Sequence, residues 1–413
     1  MPPFRHTYRI YTYQSRGIRL PMTYRSGRHF LQIPGPSNVP DRVQRAMHRA
    51  VLDHRSVEFS ELGLDVLEGI KMLFKTSSPV LIYPSSGTGA WEAALTNTLS
   101  PGDKVLMAET GMFSTLWRNL AQRVGLDVEY LPGDWRRGPE PSAIEARLTE
   151  DKNRDIKAVC MVHNETSAGF TTRMAEIRKA IDASGHPALL MVDTISSLGS
   201  IDYRHDEWRA DVSVGGSQKG LMLPPGLSFT AISDKAIEAS KTSKLNCGYF
   251  NWNDMLTNNA NGFFPYTPAT TLLYGLQEAL KMFSEEGMDN VFARHARLAE
   301  ATRRAVSAWG LENQCDNPDE YSNSVTTVRM PEGRNADEFR KVVLENFDMS
   351  LGSGLGQLAG KVFRIGHLGD LNDLTLTGAL TGVEMGLDLI GLHNAKGGIG
   401  AALDYLAKSK KAA

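Results

Sequence analysis

Lys219 sits near the end of Asp211-Val-Ser-Val-Gly-Gly-Ser-Gln-Lys-Gly220, a short apolar run followed by small residues. An amine that closes a buried strand inside such a loop is poorly hydrated. Burial lowers its pKa and frees it as a nucleophile, although a plain loop lysine after a strand reads the same way. Asp193 ends the apolar run 189–192. A carboxylate at the carboxyl end of a parallel strand faces a ligand crevice and can hold a ring nitrogen protonated. The same residue could equally close an Asx turn or cap a helix. Arg364 lies inside the apolar stretch Val362-Phe-Arg-Ile365 and needs an anion there. A substrate carboxylate and an internal Asp or Glu both qualify.

Ser85-Ser-Gly-Thr-Gly-Ala90 falls between an expected strand and an expected helix. Free N–H groups at a helix N-terminus bind anions, and the Ser86 and Thr88 hydroxyls add donors. A dinucleotide fingerprint fails, because Glu92 stands where a third glycine should fall. A Walker loop fails because no Lys-Ser or Lys-Thr closes it. A tight strand–helix turn is the plain alternative. Phe113 follows another strand end and could stack on a flat ring or simply fill the core. His163-Asn-Glu-Thr166 reads as a polar loop that hydrogen-bonds a cofactor. No HExxH or comparable spacing supports a metal. A nucleophilic amine, a buried acid and an anion cradle, all at strand ends, converge on Schiff-base chemistry with pyridoxal phosphate.

Positioning those groups is the work of an alternating βαβα pattern. Strands are expected at 80–83, 104–108, 156–162, 188–192 and 211–214, and helices at 89–99, 114–124 and 174–183. Short, continuously apolar strands of this kind belong to a mainly parallel sheet covered on both faces. After Gly262 the pattern changes. Long amphipathic helices are expected at 271–286 and 291–309, then strands at 324–329 and 361–365 with helices at 336–344 and near the C-terminus. The Gly-rich stretch 395–400 reads as a loop. Three parts follow: a basic arm over 1–30, a large α/β domain over 31–285, and a smaller α+β domain over 286–413.

A chain of 413 residues exceeds what one core usually holds. A net charge of -2 gives no reason to expect nucleic acid or an anionic membrane as partner, and no apolar run is long enough to span a bilayer. Cys160, Cys247 and Cys315 are too few and too scattered for a disulfide framework. A reducing, cytoplasmic setting is expected. The first 40 residues hold six arginines and no Asp or Glu. An organelle transit segment, a plain basic arm and an upstream start with Met22 as a second candidate are all open there.

With these residues in view, the chain resembles the class V, fold-type I pyridoxal-phosphate aminotransferases, and within them the serine–glyoxylate and alanine–glyoxylate branch. The resemblance covers about residues 30–400. It rests on Ile33-Pro-Gly-Pro-Ser-Asn38, Ser86-Gly-Thr-Gly-Ala-Trp-Glu-Ala-Ala94, Ser100-Pro-Gly-Asp103, His163-Asn-Glu-Thr166 and Val192-Asp193. Gly216-Ser-Gln-Lys219, Tyr266-Thr-Pro268 and Gly360-Lys-Val-Phe-Arg-Ile-Gly-His-Leu-Gly369 complete it. The resemblance implies a large domain with a mainly parallel, seven-stranded sheet. It implies that Lys219 is the Schiff-base lysine and Asp193 the partner of the ring nitrogen. Ser86, Gly87, Thr88 and Gln218 would hold the phosphate, joined by Thr267 from a second subunit of an obligate homodimer. Thr166 would bond the ring hydroxyl, Phe113 would stack, and Arg364 with the Gly35 backbone would grip an α-carboxylate. Phe264 stands where some relatives carry a phosphate-binding tyrosine, and Tyr266 is the nearby substitute.

The activity implied is transfer of an amino group from a small L-amino acid, serine first, to glyoxylate. The products are glycine and hydroxypyruvate. Aspartate and alanine are the alternative donors. A cysteine desulfurase would need a reactive cysteine on a loop, and none of the three has a supporting motif. A catalytically silent scaffold would not need Lys219, Asp193 and Arg364 together.

Overall fold

The computed structural model describes residues 26–411. The basic arm expected over 1–30 lies almost wholly outside them. Seven strands form the larger sheet in the order Val80–Tyr83, Ser228–Ile232, Val212–Gly216, Leu189–Asp193, Ile156–Val162, Lys104–Ala108, Asp127–Leu131. Ser228–Ile232 runs antiparallel to both neighbours and the other pairings are parallel. The two faces divide as strand geometry requires, since successive side chains point to opposite sides. Ile82, Leu106, Val159, Met161, Leu190 and Val192 pack on one core. Tyr83, Val105, Met107, Cys160, Met191 and Val214 pack on the other. Helices cover both, so the strands carry no polar face and read as unbroken apolar runs.

The covering helices bury matching stripes. Ile177 and Ile181 of helix Met174–Ala183 and Leu276 and Phe283 of helix Thr270–Glu286 lie against the first face. Ala90, Trp91, Ala94 and Leu95 of helix Gly87–Thr98 lie against the second. Every parallel strand therefore ends at one edge, and the segments after Tyr83, Ala108, Val162, Asp193 and Gly216 meet there.

A second sheet has the order Phe30–Gln32, Met349–Ser353, Val362–Gly366, Val325–Arg329, Glu312–Asn313. Phe30–Gln32 pairs in parallel with Met349–Leu351. Residues 31 and 32, expected at the start of the large domain, thus add a strand to the smaller sheet. Three residues are too short to announce a strand in the sequence. On this topology we propose a large domain running to residue 285 and a small one from 286, to which this strand is returned. The stretch 395–400 is only partly a loop, because helix Gly398–Lys411 begins inside it. Among the described residues, no helix is long and apolar enough to cross a membrane.

Candidate active site

One cavity at the carboxyl edge of the large sheet brings together Ser86, Gly87, Thr88, Phe113, Thr166, Asp193, Gln218 and Lys219, all singled out in the sequence. Trp91, Asn164, Ile195 and Ser196 line it as well. Lys219 leaves the strand Val212–Gly216 through Ser217 and Gln218, and its Nζ donates to the Pro34 carbonyl at 2.9 Å. Segment 33–38 clasps this loop. Ser37 Oγ donates to Lys219 O at 2.7 Å and Ser37 N to Gln218 O at 2.9 Å. Gly35 has φ +124, and a Cβ there would lie 2.4 Å from Lys219 Nζ. Only glycine allows the amine this close to the backbone. Burial pushes the Lys219 amine down to about 8, with the Arg364 charge adding to the effect and Asp193 opposing it.

Asp193 is buried, and its two oxygens are held separately. Oδ1 accepts from Ile195 N at 2.7 Å, the Asx turn foreseen as an alternative, and Oδ2 accepts from Trp91 Nε1 at 3.1 Å. The turn reading of this residue is therefore realised, and the carboxylate still reaches the cavity. Among the described residues it has no ion pair, and burial raises it to about 7. Arg364 is 7% exposed, and among the described residues it hydrogen-bonds only carbonyls: Nε to Ser353 O at 2.8 Å and NH1 to Thr166 O at 3.1 Å. The internal carboxylate considered for it is absent as a direct partner. Glu165 acts on it only from a distance, and burial lowers its pKa to about 10.

Helix Gly87–Thr98 starts at the cavity, with Ser86 as an extended N-cap that makes no side-chain capping bond. A Cβ on Gly87 would meet Ile195 Cδ1 at 2.3 Å, so glycine lets the helix end approach the Asp193 turn. Gly89 N turns back to Ser86 O at 2.9 Å, while the N–H groups of Gly87 and Thr88 lie ahead of the intrahelical ladder at the cavity lining. Gln218 Oε1 is buried without a partner. Thr166 Oγ1 donates to Ser196 Oγ at 2.6 Å, while Ser196 donates to Asn164 O at 2.9 Å. The Thr166 lone pairs are left for the cavity.

Tyr266 and Thr267 do not line the cavity of their own chain. Tyr266 stacks on Tyr249 with centroids 4.2 Å apart, and its buried hydroxyl has no partner. Thr267 is exposed. Phe264 packs edge-on against Phe59 and does not line the cavity. His163 turns into the core beside Tyr203 and Trp208, bonded to Ser197 Oγ at 2.9 Å, and burial holds it neutral at about 3. Glu165, which the sequence offered only as a weak metal pairing with His163 or a polar loop residue, is fully buried. It accepts from Ser167 Oγ at 2.6 Å and from the N–H groups of Ser114 and Phe113 at 3.2 and 3.4 Å. It thereby fixes the turn that carries Phe113. Trp91 and Ser196 were missed because an apolar helix residue and a turn serine carry no local sign of what they face.

Pyridoxal phosphate fits this set of residues. It would bring a phosphate to a helix N-terminus with uncapped hydroxyls, a ring cation to a buried carboxylate that has none, and a carbonyl to a desolvated amine.

Comparison with known proteins agrees. The aminotransferase class-V family matches residues 31–365. A serine–glyoxylate aminotransferase of Methylorubrum extorquens is 50% identical over 391 residues, covering 93% of this chain and 97% of that one. An L-aspartate–glyoxylate aminotransferase of Paracoccus denitrificans is 46% identical, covering 92% and 97%. The crystal structure of pyridoxamine–pyruvate aminotransferase from Mesorhizobium loti superposes with a TM-score of 0.85 at 27% identity, covering 92% and 97%.

Proposed function

Because the chain belongs to the class-V aminotransferases, we propose that this site moves the amino group of L-serine to glyoxylate, releasing hydroxypyruvate and glycine. Aminotransferase activity and pyridoxal phosphate come with the family. The choice of donor is the proposal. The transamination site itself is marked by three buried charged groups, Asp193, Lys219 and Arg364, that have no opposite charge hydrogen-bonded to them among the described residues.

When bound, pyridoxal phosphate supplies the carbonyl that stores the amino group and the ring that accepts electron density. The chain's own residues do the rest. Arg364 binds the α-carboxylate and orients Cα. Lys219 Nζ, with a pKa near 8, is partly unprotonated near neutral pH and takes the Cα proton as general base. It then returns that proton to the new carbon acceptor. Asp193 would accept a hydrogen bond from the ring nitrogen and keep the positive charge there. Ser86, Gly87, Thr88 and Gln218 would hold the phosphate, Thr166 would meet the ring hydroxyl, and Phe113 would cover one ring face. The exposed Thr267 and the nearby Tyr266 serve the site of a second subunit, which makes the working form a homodimer. A reducing, cytoplasmic compartment suits its three free cysteines.

Serine is favoured over aspartate because a second carboxylate needs a second cation. Arg364, which lies outside the cavity lining, is taken by the α-carboxylate, and apart from Lys219 no cation among the described residues lines the cavity. The test is the visible spectrum of the cofactor-loaded protein. L-Serine should bleach the band of the lysine-bound cofactor and glyoxylate should restore it. Bleaching by L-aspartate only would change the donor, and a band indifferent to both would reject the substrate assignment.

A further inference from the structure

Trp91 stands one turn into the helix whose first residues include Gly87 and Thr88. At three and four residues from them it shares their face. Its indole is 3% exposed, lines the cavity and donates through Nε1 to Asp193 Oδ2 at 3.1 Å. It lies flat on Trp117, with centroids 5.8 Å apart and planes 11° from parallel. Trp117 is itself buried, and its own indole N–H has no partner among the described residues. The stack fixes where the Trp91 N–H points.

We propose that Trp91 is a positioning residue for the cofactor's ring nitrogen, acting through Asp193. This rests on the reading that Asp193 faces that nitrogen. A buried carboxylate held at one oxygen can turn about its Cβ–Cγ bond. Held by Ile195 N on Oδ1 and Trp91 Nε1 on Oδ2, it keeps one orientation with a lone pair to spare on each oxygen. Hydrogen bonds to the ionised form also favour that form. An indole nitrogen donates and never accepts, so Trp91 cannot take the proton shared by Asp193 and the ring. One helix therefore serves both ends of the cofactor, phosphate at its N-terminus and ring nitrogen one turn later.

The test measures dissociation constants of the apoprotein for pyridoxal phosphate and for the analogue with C–H in place of the ring nitrogen. Wild type should bind pyridoxal phosphate more tightly than the analogue. Trp91→Phe keeps the stack and removes the donor. It should weaken pyridoxal phosphate binding about tenfold, the size of one lost hydrogen bond to a charged group, and change analogue binding little. Trp117→Phe removes an indole N–H that bonds nothing and should leave the ratio of the two constants unchanged. Equal losses for both cofactors in Trp91→Phe would overturn the proposal and leave the Asp193 reading standing. A wild type that does not distinguish the two cofactors would overturn both. Should Trp91→Phe not fold, a synthetic residue with sulfur in place of the indole N–H gives the same comparison.

Discussion

Arg297 and Arg364 are both sheltered guanidinium groups, and the chain treats them in opposite ways. Arg297, on helix Met288–Ala308, meets Asp373 in a two-point contact of 2.6 and 2.7 Å and also donates to Ser409 Oγ at 2.8 Å. Its charge is answered within the chain, and it ties three helices of the small domain together. Arg364 is more deeply buried, yet it is bonded only to two carbonyl oxygens. Asp193 and Lys219 repeat that pattern, each bonded to neutral groups. Leaving a buried charge without its opposite is expensive, and proteins accept it where a ligand brings the counter-charge. The contrast separates charges that hold the fold from charges kept for chemistry.

Four outcomes would sharpen or break that contrast. The largest concerns Lys219. Lys219→Ala removes both the attachment point and the base, and turnover should fall about 10⁴-fold or more. Steady-state assay of serine with glyoxylate checks it, and a variant within tenfold of wild type would remove Lys219 from the mechanism. Next, Arg364→Leu should raise the KM for L-serine about 100-fold, the scale of losing one partner of a buried charge pair. The same variant should unfold at no lower temperature than wild type, because no charge in the chain loses its partner. Arg297→Ala should do the reverse. Stability should drop by about 1 kcal/mol in denaturant titration while kcat/KM stays as it was. A loss of activity there without a loss of stability would erase the distinction.

Much of the site was legible because chemistry-bearing residues sit at the ends of short apolar strands. A parallel sheet gathers those ends at one edge, so Ser86, Phe113, Thr166, Asp193 and Lys219 could be grouped before any coordinates. Less legible was what holds them. Trp91 reads as an ordinary core residue, and only the crossing of helix Gly87–Thr98 over the strand end sets its N–H on Asp193. The antiparallel strand Ser228–Ile232 went unseen because one of its two partners, Val80–Tyr83, lies nearly 150 residues away, although the other, Val212–Gly216, is close in the chain. The strand Phe30–Gln32 was hidden for the same reason, since its partner begins at Met349.

The most direct test follows the titration of Asp193 in the apoprotein. Its folded value, about 7, lies above the 3.8 of an ordinary aspartate. Between those values the folded state keeps a proton the unfolded state has lost, so its contribution to stability falls as pH rises and is gone above 7. Asp193→Asn cannot titrate. Unfolding free energies of the two apoproteins, measured from pH 5 to pH 8, should show wild type losing roughly 2 kcal/mol relative to the variant. Saturating pyridoxal phosphate should abolish that relative loss, because the ring cation answers the charge. A gap between the two apoproteins that stays constant across this range would mean that Asp193 is already satisfied by the chain, and would contradict the account.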